Sequence, residues 1–580
     1  MADFQIKKSS KVYDVCIVGS GAGGGMAAYL LSKAGFKIAV LEAGGMFDPK
    51  DPKYRTQLKW PYESPRRGAG TTRPFGEFDA AWGGWEIEGE PYTHKNGTQF
   101  DWFRSRMVGG RTNHWGRISL RFGPRDFKHK SIDGLGDDWP IGYDDVAPYY
   151  DKVDELVGVF GTKEGMYNEP DGHFLPPPKP RLHELFIEKG AVKAGVKVMP
   201  SRLSMLTRPI NKQRQVCFYC SQCNRSCQVY ADFSSSSVLI QPALKTGNMD
   251  VFTGAMVREV LTDKNGKATG VSYVNKADLQ EYQLQAKVVV LAASACESAR
   301  LLLNSKSSRF PNGLANSSDV VGKYLHDSTG AARGGVLPKL FGRKRYNEDG
   351  VGGMHLYSPW WLDNKKLKFP RGYHIEYWGG MGMPSYGFSW GIEGTNGRFP
   401  DANGKKKKGG GYGKSLKEDY RYFYGAGFGM AGRGECIARK DNYCEIDPGK
   451  VDQYGIPVLR FNYTWSDHEI QQAKHMQDTF EEIIHNMGGI ALGTKPGADS
   501  NYGISSPGSI IHEVGTVRMG NDPKTSALNK FNQAHECKNL FVVDGGAFVS
   551  QADKNPTWTI LALSWRATEY IMDEMKKGNI

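Results

Sequence analysis

Short apolar runs that end in glycine alternate with segments of helical spacing from the start of the chain. Tyr13-Asp14-Val15-Cys16-Ile17-Val18 has the length and character of a strand. Gly25-Met26-Ala27-Ala28-Tyr29-Leu30-Leu31 has helical spacing, and Lys37-Ile38-Ala39-Val40-Leu41 is a second strand that ends at Glu42. Gly19-Ser20-Gly21-Ala22-Gly23-Gly24 joins the first strand to the helix and reads G-x-G-x-x-G. Gly19 allows the tight turn, Gly21 lets backbone N–H groups approach a pyrophosphate, and Gly24 lets the helix pack on the strand. Glu42, 18 residues past Gly24, is placed to bind ribose hydroxyls. Among 72 glycines the motif alone says little, but with strand, helix, strand and acid in register it predicts a dinucleotide site.

The same patterns recur later. Asp138 to Val159 predicts a helix, and Pro176 to Pro180 a linker. Val257 to Leu261 and Gly270 to Val274 alternate as strands; Lys287 to Ala293 is a buried strand running into a helix that ends near Leu303. Residues 335–500 carry aromatic strands and glycine-rich turns, with Trp360, Trp361, Tyr373, Tyr377, Trp378, Tyr386 and Trp390. Such aromatics either form a core or stack on sugar C–H faces. Leu540 to Gly546 is a strand and turn, and Asn555-Pro556 opens a final helix from Thr557 with proline at its start.

At 580 residues the chain exceeds one simple core, so two closely packed domains are expected. The net charge of +13 comes without a basic stripe of nucleic-acid motif spacing, which argues against a nucleic-acid partner. Lys405 to Lys408, set among glycines, reads as a mobile loop, with docking of an acidic partner as the alternative. No 18-residue apolar run and no signal core is present, so no transmembrane segment is expected. Nine cysteines, four of them clustered, do not suggest a disulfide framework. Cys217, Cys220, Cys223 and Cys227 form C-x2-C-x2-C-x3-C, the spacing that folds thiolates around an iron–sulfur cluster. A structural zinc site is the alternative.

Three separated stretches resemble the glucose–methanol–choline (GMC) flavoprotein oxidoreductases: the opening fingerprint, Gly109-Gly110-Arg111-Thr112-Asn113-His114, and a C-terminal pair. That pair is His512-Glu513-Val514-Gly515-Thr516-Val517-Arg518-Met519-Gly520 and Val543-Asp544-Gly545 through Asn555-Pro556-Thr557. Val108 to Trp115 and Trp139 to Asp145 further resemble the iron–sulfur-containing sugar dehydrogenases, pyranose oxidase and the glucoside 3-dehydrogenases. The resemblance implies an α/β fold: a Rossmann-like FAD-binding domain with a discontinuous α+β substrate domain on an antiparallel sheet. The expected division is 1–55 and 241–334 for FAD, 56–240 for FAD cover, linker and cluster, 335–500 for substrate, and 501–580 for the catalytic end of the FAD domain.

It also implies site roles. His512 is the expected base and Asn555 its hydrogen-bonding partner on the substrate hydroxyl, since alcohol oxidation needs a proton acceptor beside the oxygen. Gly19, Gly21, Gly24, Glu42, Gly109, Gly110, Asn113, His114, Val257, Asp544, Pro556 and Thr557 are the expected FAD contacts, Val257 by its backbone at adenine. The N-terminus of the helix from Thr557 would stabilise charge on the reduced flavin. In pyranose oxidase the histidine of the His114 motif is linked covalently to the flavin and in other relatives it is not; both stay open. Cys217, Cys223 and Cys227 match the three-iron pattern of the glucose dehydrogenase relatives, whereas Cys220 and Gln228 depart from the usual patterns and leave 3Fe-4S or 4Fe-4S open.

The expected function is therefore FAD-dependent dehydrogenation of a secondary hydroxyl of a sugar or glycoside, C3 favoured, to a keto sugar. Electrons would leave through the cluster to an external acceptor. The alternatives are glucose C1 oxidation, gluconate 2-dehydrogenation, an oxygen-using oxidase with structural zinc, and a non-enzymatic electron-transfer subunit. A small subunit and a cytochrome or other acceptor are the expected partners, with periplasmic location by co-export, or a cytoplasmic location, following from that.

Overall fold

The computed structural model describes residues 7–51, 82–220, 223, 227–344, 351, 353–362, 366–381 and 413–580. Tyr386, Trp390 and the Lys405 to Lys408 run lie outside them.

The opening strand is Lys7–Val18, the following helix Ala22–Lys33 and the second strand Ile38–Glu42. These strands sit in a seven-stranded sheet and pair in parallel, Val15 opposite Ile38 through Val18 opposite Leu41. Met249–Thr253 extends the sheet beyond Ile38–Glu42, and Glu281–Leu291 lies on the other side of the opening strand. The outer edge of Glu281–Leu291 is shared. Its first half pairs antiparallel with Ala268–Asn275, and its last three residues pair in parallel with Leu540–Val542. Val15, Ile17, Val40 and Val290 are fully buried in the core that this face of the sheet forms with helix Ala22–Lys33. The strand ends Val18, Glu42, Leu291 and Val542 therefore emerge together. Crevices at the carboxyl ends of such strands are where ligands bind.

A second, antiparallel sheet has six strands in the order Ile490–Ala491, Thr329–Val336, Gly427–Gly434, Tyr373–Gly379, Leu356–Ser358, Met199–Pro200. The strand Thr329–Val336 runs through the boundary expected at residue 334. Helix Leu182–Lys193 and strand Met199–Pro200 come from the segment expected to be FAD cover and linker, yet join this layer. Helix Asp467–Asn486 begins with a capping box, Glu469 accepting the N–H of Ser466 at 2.7 Å, and packs on the sheet. Glycines make that approach close: a Cβ on Gly432 would lie 2.5 Å from Met476 Sδ, and one on Gly434 1.9 Å from Gln472 Oε1.

Alternation along Tyr373–Gly379 separates two jobs. Tyr373, Ile375 and Tyr377 pack into the core under the helices. His374 and Glu376 point to the opposite face, where Arg433 meets Glu376. Tyr373 and Tyr377 are thus core residues, and Trp360 and Trp361 lie outside the strands.

The first glycine helix crosses the end of the last parallel strand without room for a side chain. A Cβ on Gly23 would lie 2.1 Å from the carbonyl oxygen of Val543. Gly23→Val should lower the thermal unfolding midpoint by several degrees and reduce retained flavin, because overpacking against backbone costs about 1–3 kcal/mol. Unfolding followed by flavin fluorescence checks this, and an unchanged midpoint would contradict the packing.

Candidate active site

The crevice at the strand ends is a single cavity running from the glycine turn to the start of the C-terminal helix. Gly19, at φ +94°, makes the turn, and Gly24 packs behind it, where a Cβ would lie 2.0 Å from the Gly19 carbonyl oxygen. A Cβ on Gly21 would meet nothing within 4 Å, so this backbone is open to the cavity. Ala22 and Gly23, the first helical residues, also line it, and Gly21 supplies no side-chain cap. Their N–H groups and the helix dipole favour an anion there. The backbone cradle and the acid at the second strand end fit a dinucleotide such as FAD.

Of the expected contacts, Gly19, Gly21, Glu42, Gly110, His114, Val257, Asp544, Pro556 and Thr557 line this cavity. Gly24, Gly109 and Asn113 do not; they hold its wall. Gly109, at φ +91°, donates its N–H to Ser20 Oγ at 2.9 Å. The Asn113 amide donates to the carbonyl oxygen of Val108 at 2.8 Å and accepts from Ser236 Oγ at 2.6 Å. His114 Nε2 lies 3.2 Å from Ser105 Oγ, with its ring edge-on to Phe103.

Glu42 is anchored as well as exposed to the cavity. Its Oε2 accepts from Ser20 Oγ at 2.5 Å and its Oε1 from the N–H of Gly44 at 2.8 Å. Burial raises its pKa, against the pull of those donors and Arg106. The serine run 234–237, which no sequence motif marks, clamps both glycine loops. Ser235 Oγ donates to the Ser20 carbonyl oxygen at 2.7 Å, in a space left by Gly25, and its N–H donates to Thr112 Oγ1 at 2.8 Å.

At the other end of the cavity His512 and Asn555 meet, 43 residues apart in the chain, with His512 Nε2 3.2 Å from Asn555 Nδ2. Asn555 precedes the helix Thr557–Lys577, whose start is braced by helix Tyr143–Val157. Trp558 Nε1 donates to Asp154 Oδ1 at 2.8 Å, and Thr559 Oγ1 meets the Tyr150 hydroxyl at 2.6 Å. Pro556 and Thr557 line the cavity, so the positive end of this helix faces it too.

The second sheet supplies groups that no local motif marked. Asn555 Nδ2 lies 3.4 Å from Glu376 Oε1, and Arg433 Nε lies 3.3 Å from Glu376 Oε2. Burial would raise the Glu376 pKa, but Arg433 and His374 hold it down at about 2. Desolvation, and then the charge of Arg433, lower the His512 pKa to about 3, so its imidazole is neutral at ordinary pH. A neutral imidazole offers one nitrogen lone pair as a proton acceptor. Ser328 Oγ lies 3.0 Å from His512 Nδ1, and Gln551 Nε2 donates to that same oxygen at 2.6 Å. Asn555 Oδ1 is buried and has no hydrogen-bond partner among the described residues. It is a ready acceptor for a hydroxyl. Arg111 and Glu513 form an ion pair of 2.7 Å behind the histidine.

The four clustered cysteines are not assembled as the spacing led us to expect. Among the described residues, no group of three or more His, Cys, Asp or Glu side chains is arranged to hold a metal ion. Cys217 Sγ accepts the N–H of Tyr219 at 3.4 Å, Cys227 Sγ accepts that of Ala231 at 3.3 Å, and Cys223 Sγ sits 4.0 Å from Met205 Sδ. Cys217, Cys220 and Cys223 lie near one another, and Asp232 lies near Cys217, Cys223 and Cys227 alike. Burial raises the Cys217 thiol to about 11 and Cys227 to about 12. Residues 221–222 and 224–226 lie outside those described.

Asp327 fixes the loop that carries His512. Its Oδ1 accepts the N–H groups of His512 and Ser328, each at 2.9 Å, while Oδ2 is buried without a partner among the described residues. Burial, then the charge of Glu513, raises its pKa from 3.8 to about 7. Proton uptake by the folded state therefore adds stability that is full below pH 3.8 and is lost progressively as pH rises from there through about 7. Asp327→Asn keeps the accepting oxygen and removes the charge. It should raise the unfolding midpoint by a few degrees at pH 8.5 and by less at pH 5. Thermal melts at the two pH values check this; an equal effect at both would contradict it.

Residues 22–329 match the N-terminal family model of the GMC oxidoreductases, and residues 438–564 match the C-terminal one. The chain is 29% identical over 573 residues to 2-methyl-1,2-propanediol dehydrogenase of Mycolicibacterium austroafricanum, covering 96% of this chain and 95% of that protein. It is 26% identical to the fructose dehydrogenase large subunit of Gluconobacter japonicus (97% and 98% covered) and 25% identical to paromamine 6'-oxidase of Streptomyces fradiae (98% and 93%). In fold it is similar to the crystal structure of pyridoxine 4-oxidase from Mesorbium loti, with a TM-score of 0.61 at 17% identity, over 97% of this chain and 99% of that one. With matches to both halves of the family, the glycine cradle and the paired His512 and Asn555 in one crevice, the chain belongs to the GMC oxidoreductases, a family whose cofactor is FAD.

Proposed function

We propose that this protein is an FAD-dependent dehydrogenase that oxidises a secondary hydroxyl of a sugar or glycoside, C3 favoured, to a keto sugar. The observation that carries the reading is the His512–Asn555 pair at 3.2 Å, lining the same cavity as the glycine turn. His512 Nε2 takes the hydroxyl proton. Asn555 Oδ1, left without a partner among the described residues, accepts from the same or a neighbouring hydroxyl and sets the carbon's orientation. FAD, when bound, supplies the acceptor for the hydrogen and two electrons that leave the carbon. Ser328, Gln551, Glu376 and Arg433 around the pair give a polar surround suited to a polyol rather than a hydrocarbon alcohol. The relatives point the same way, since their names include fructose and gluconate dehydrogenases.

The Cys217, Cys220, Cys223 and Cys227 spacing supports electron export through an iron–sulfur cluster to an outside acceptor. Relatives named as a large subunit and a flavoprotein support a partner subunit, and export with such a partner would make the location periplasmic. No helix among the described residues is long and apolar enough to cross a membrane. A second reading, an oxygen-using oxidase, is favoured by the two aminoglycoside-named oxidases among the relatives.

His512→Ala should keep FAD and slow anaerobic flavin reduction by substrate about 10²–10⁴-fold, the usual worth of a positioned base. Stopped-flow absorbance checks this, and an undiminished rate would remove the base assignment. Protein purified without oxygen should contain iron and acid-labile sulfide and yield little peroxide. Iron-free, flavin-loaded protein that makes one peroxide per substrate would instead establish the oxidase.

A further inference from the structure

The role of His512 as base requires its lone pair on Nε2, the nitrogen beside Asn555. The surrounding donors and acceptors decide this. Glu376 receives Arg433 Nε on one oxygen and has His374 Nε2 at 3.3 Å from the other, so it is a carboxylate that only accepts. Asn555 Nδ2, 3.4 Å from Glu376 Oε1, must donate to it. The second hydrogen of that amide nitrogen then faces His512 Nε2 at 3.2 Å, and Nε2 accepts. A neutral ring with an accepting Nε2 carries its proton on Nδ1. The acceptor facing Nδ1 is Ser328 Oγ at 3.0 Å, and Gln551 Nε2 holds that oxygen at 2.6 Å.

We infer that Ser328, held by Gln551, is a positioning residue: it accepts from His512 Nδ1–H, the form the Asn555 amide selects, and so holds the ring with Nε2 towards the cavity, where a substrate hydroxyl takes the place of the Asn555 N–H on its lone pair. The inference rests on the proposed role of His512. Ser328 works through the histidine rather than on substrate or cofactor. With the tautomer set at Nε2 by Asn555, Ser328 accepts from Nδ1–H, and that bond strengthens when the ring gains the substrate proton and becomes cationic. Gln551 keeps the hydroxyl from rotating away. Both positions lie outside the sequence motifs, one at the edge of the second sheet and one in the turn before Asn555.

The test is anaerobic flavin reduction by a reducing sugar or glycoside in flavin-loaded Ser328→Ala, Ser328→Thr and Gln551→Leu. Loss of the accepting oxygen should lower the limiting rate about 10- to 100-fold in Ser328→Ala, with substrate Kd changed less than about threefold. Ser328→Thr, which keeps the hydroxyl, should recover most of the rate, and Gln551→Leu should fall in the same direction by less. A wild-type rate in Ser328→Ala overturns the inference, as does a loss carried wholly by Kd that threonine does not repair. Should Ser328→Ala fail to load flavin, Ser328→Cys, of similar size and weak accepting power, is compared with Ser328→Thr by the same criteria. His512→Ala separates the two levels. Its reduction at full rate removes the base itself, whereas its loss beside an undisturbed Ser328→Ala removes only the positioning role.

Discussion

Backbone meets backbone without side chains between them where the parallel strands end. A Cβ at Gly19 would lie 2.4 Å from the Ala292 carbonyl oxygen, one at Gly23 2.1 Å from that of Val543, and one at Gly24 2.0 Å from that of Gly19. These three contacts draw the opening strand, the strand Glu281–Leu291 and the C-terminal strand to one point. The last of these strands leads through Asp544 to Asn555 and the final helix. The glycines therefore do two things at once: they open a cradle for a dinucleotide, and they bring the C-terminal end of the chain onto the first turn.

The second sheet approaches the same crevice from its polar face. Glu376 and His374 come from alternate positions of a strand whose other face is core, and Arg433 comes from its neighbour. Burying this set is costly for charges left alone, and it is supportable because each is paired. The result is a rigid polar wall around an imidazole kept neutral in the cleft. In the proposed reaction the cofactor half supplies the electron acceptor's seat, the C-terminal half the proton acceptor, and the second sheet the electrostatics between them.

Much of this was legible in the residues. The opening strand, helix and strand, the buried strand before residue 292, the turn at Asp544 and the helix after Pro556 all follow local patterning, and the family resemblance pointed to His512 and Asn555. Gly24, Gly109 and Asn113 fell in the right motifs, but their work is in the wall rather than at the cavity surface, a distinction that spacing does not carry. Ser328, Glu376, Arg433, Gln551 and the serine clamp at 234–237 were not legible. Each is a common residue type in an ordinary strand or loop, and its role arises only when segments well separated along the chain are brought together. The aromatic strand at 373–379 could be read either way, and burial makes Tyr373 and Tyr377 core. The cysteine spacing predicts a cluster, and among the described residues the four thiols do not form a group arranged to hold a metal ion; local spacing does not carry the arrangement of the segment around them.

The most direct test is the visible spectrum of the flavin-loaded protein under anaerobic conditions, before and after adding methyl glucoside, which has no free anomeric hydroxyl. Oxidation of a sugar hydroxyl away from C1 predicts that the flavin band bleaches. Bleaching by glucose alone would contradict oxidation away from C1 and move the activity to the anomeric carbon, and no bleaching by any sugar or glycoside would contradict a carbohydrate hydroxyl as the group this crevice oxidises.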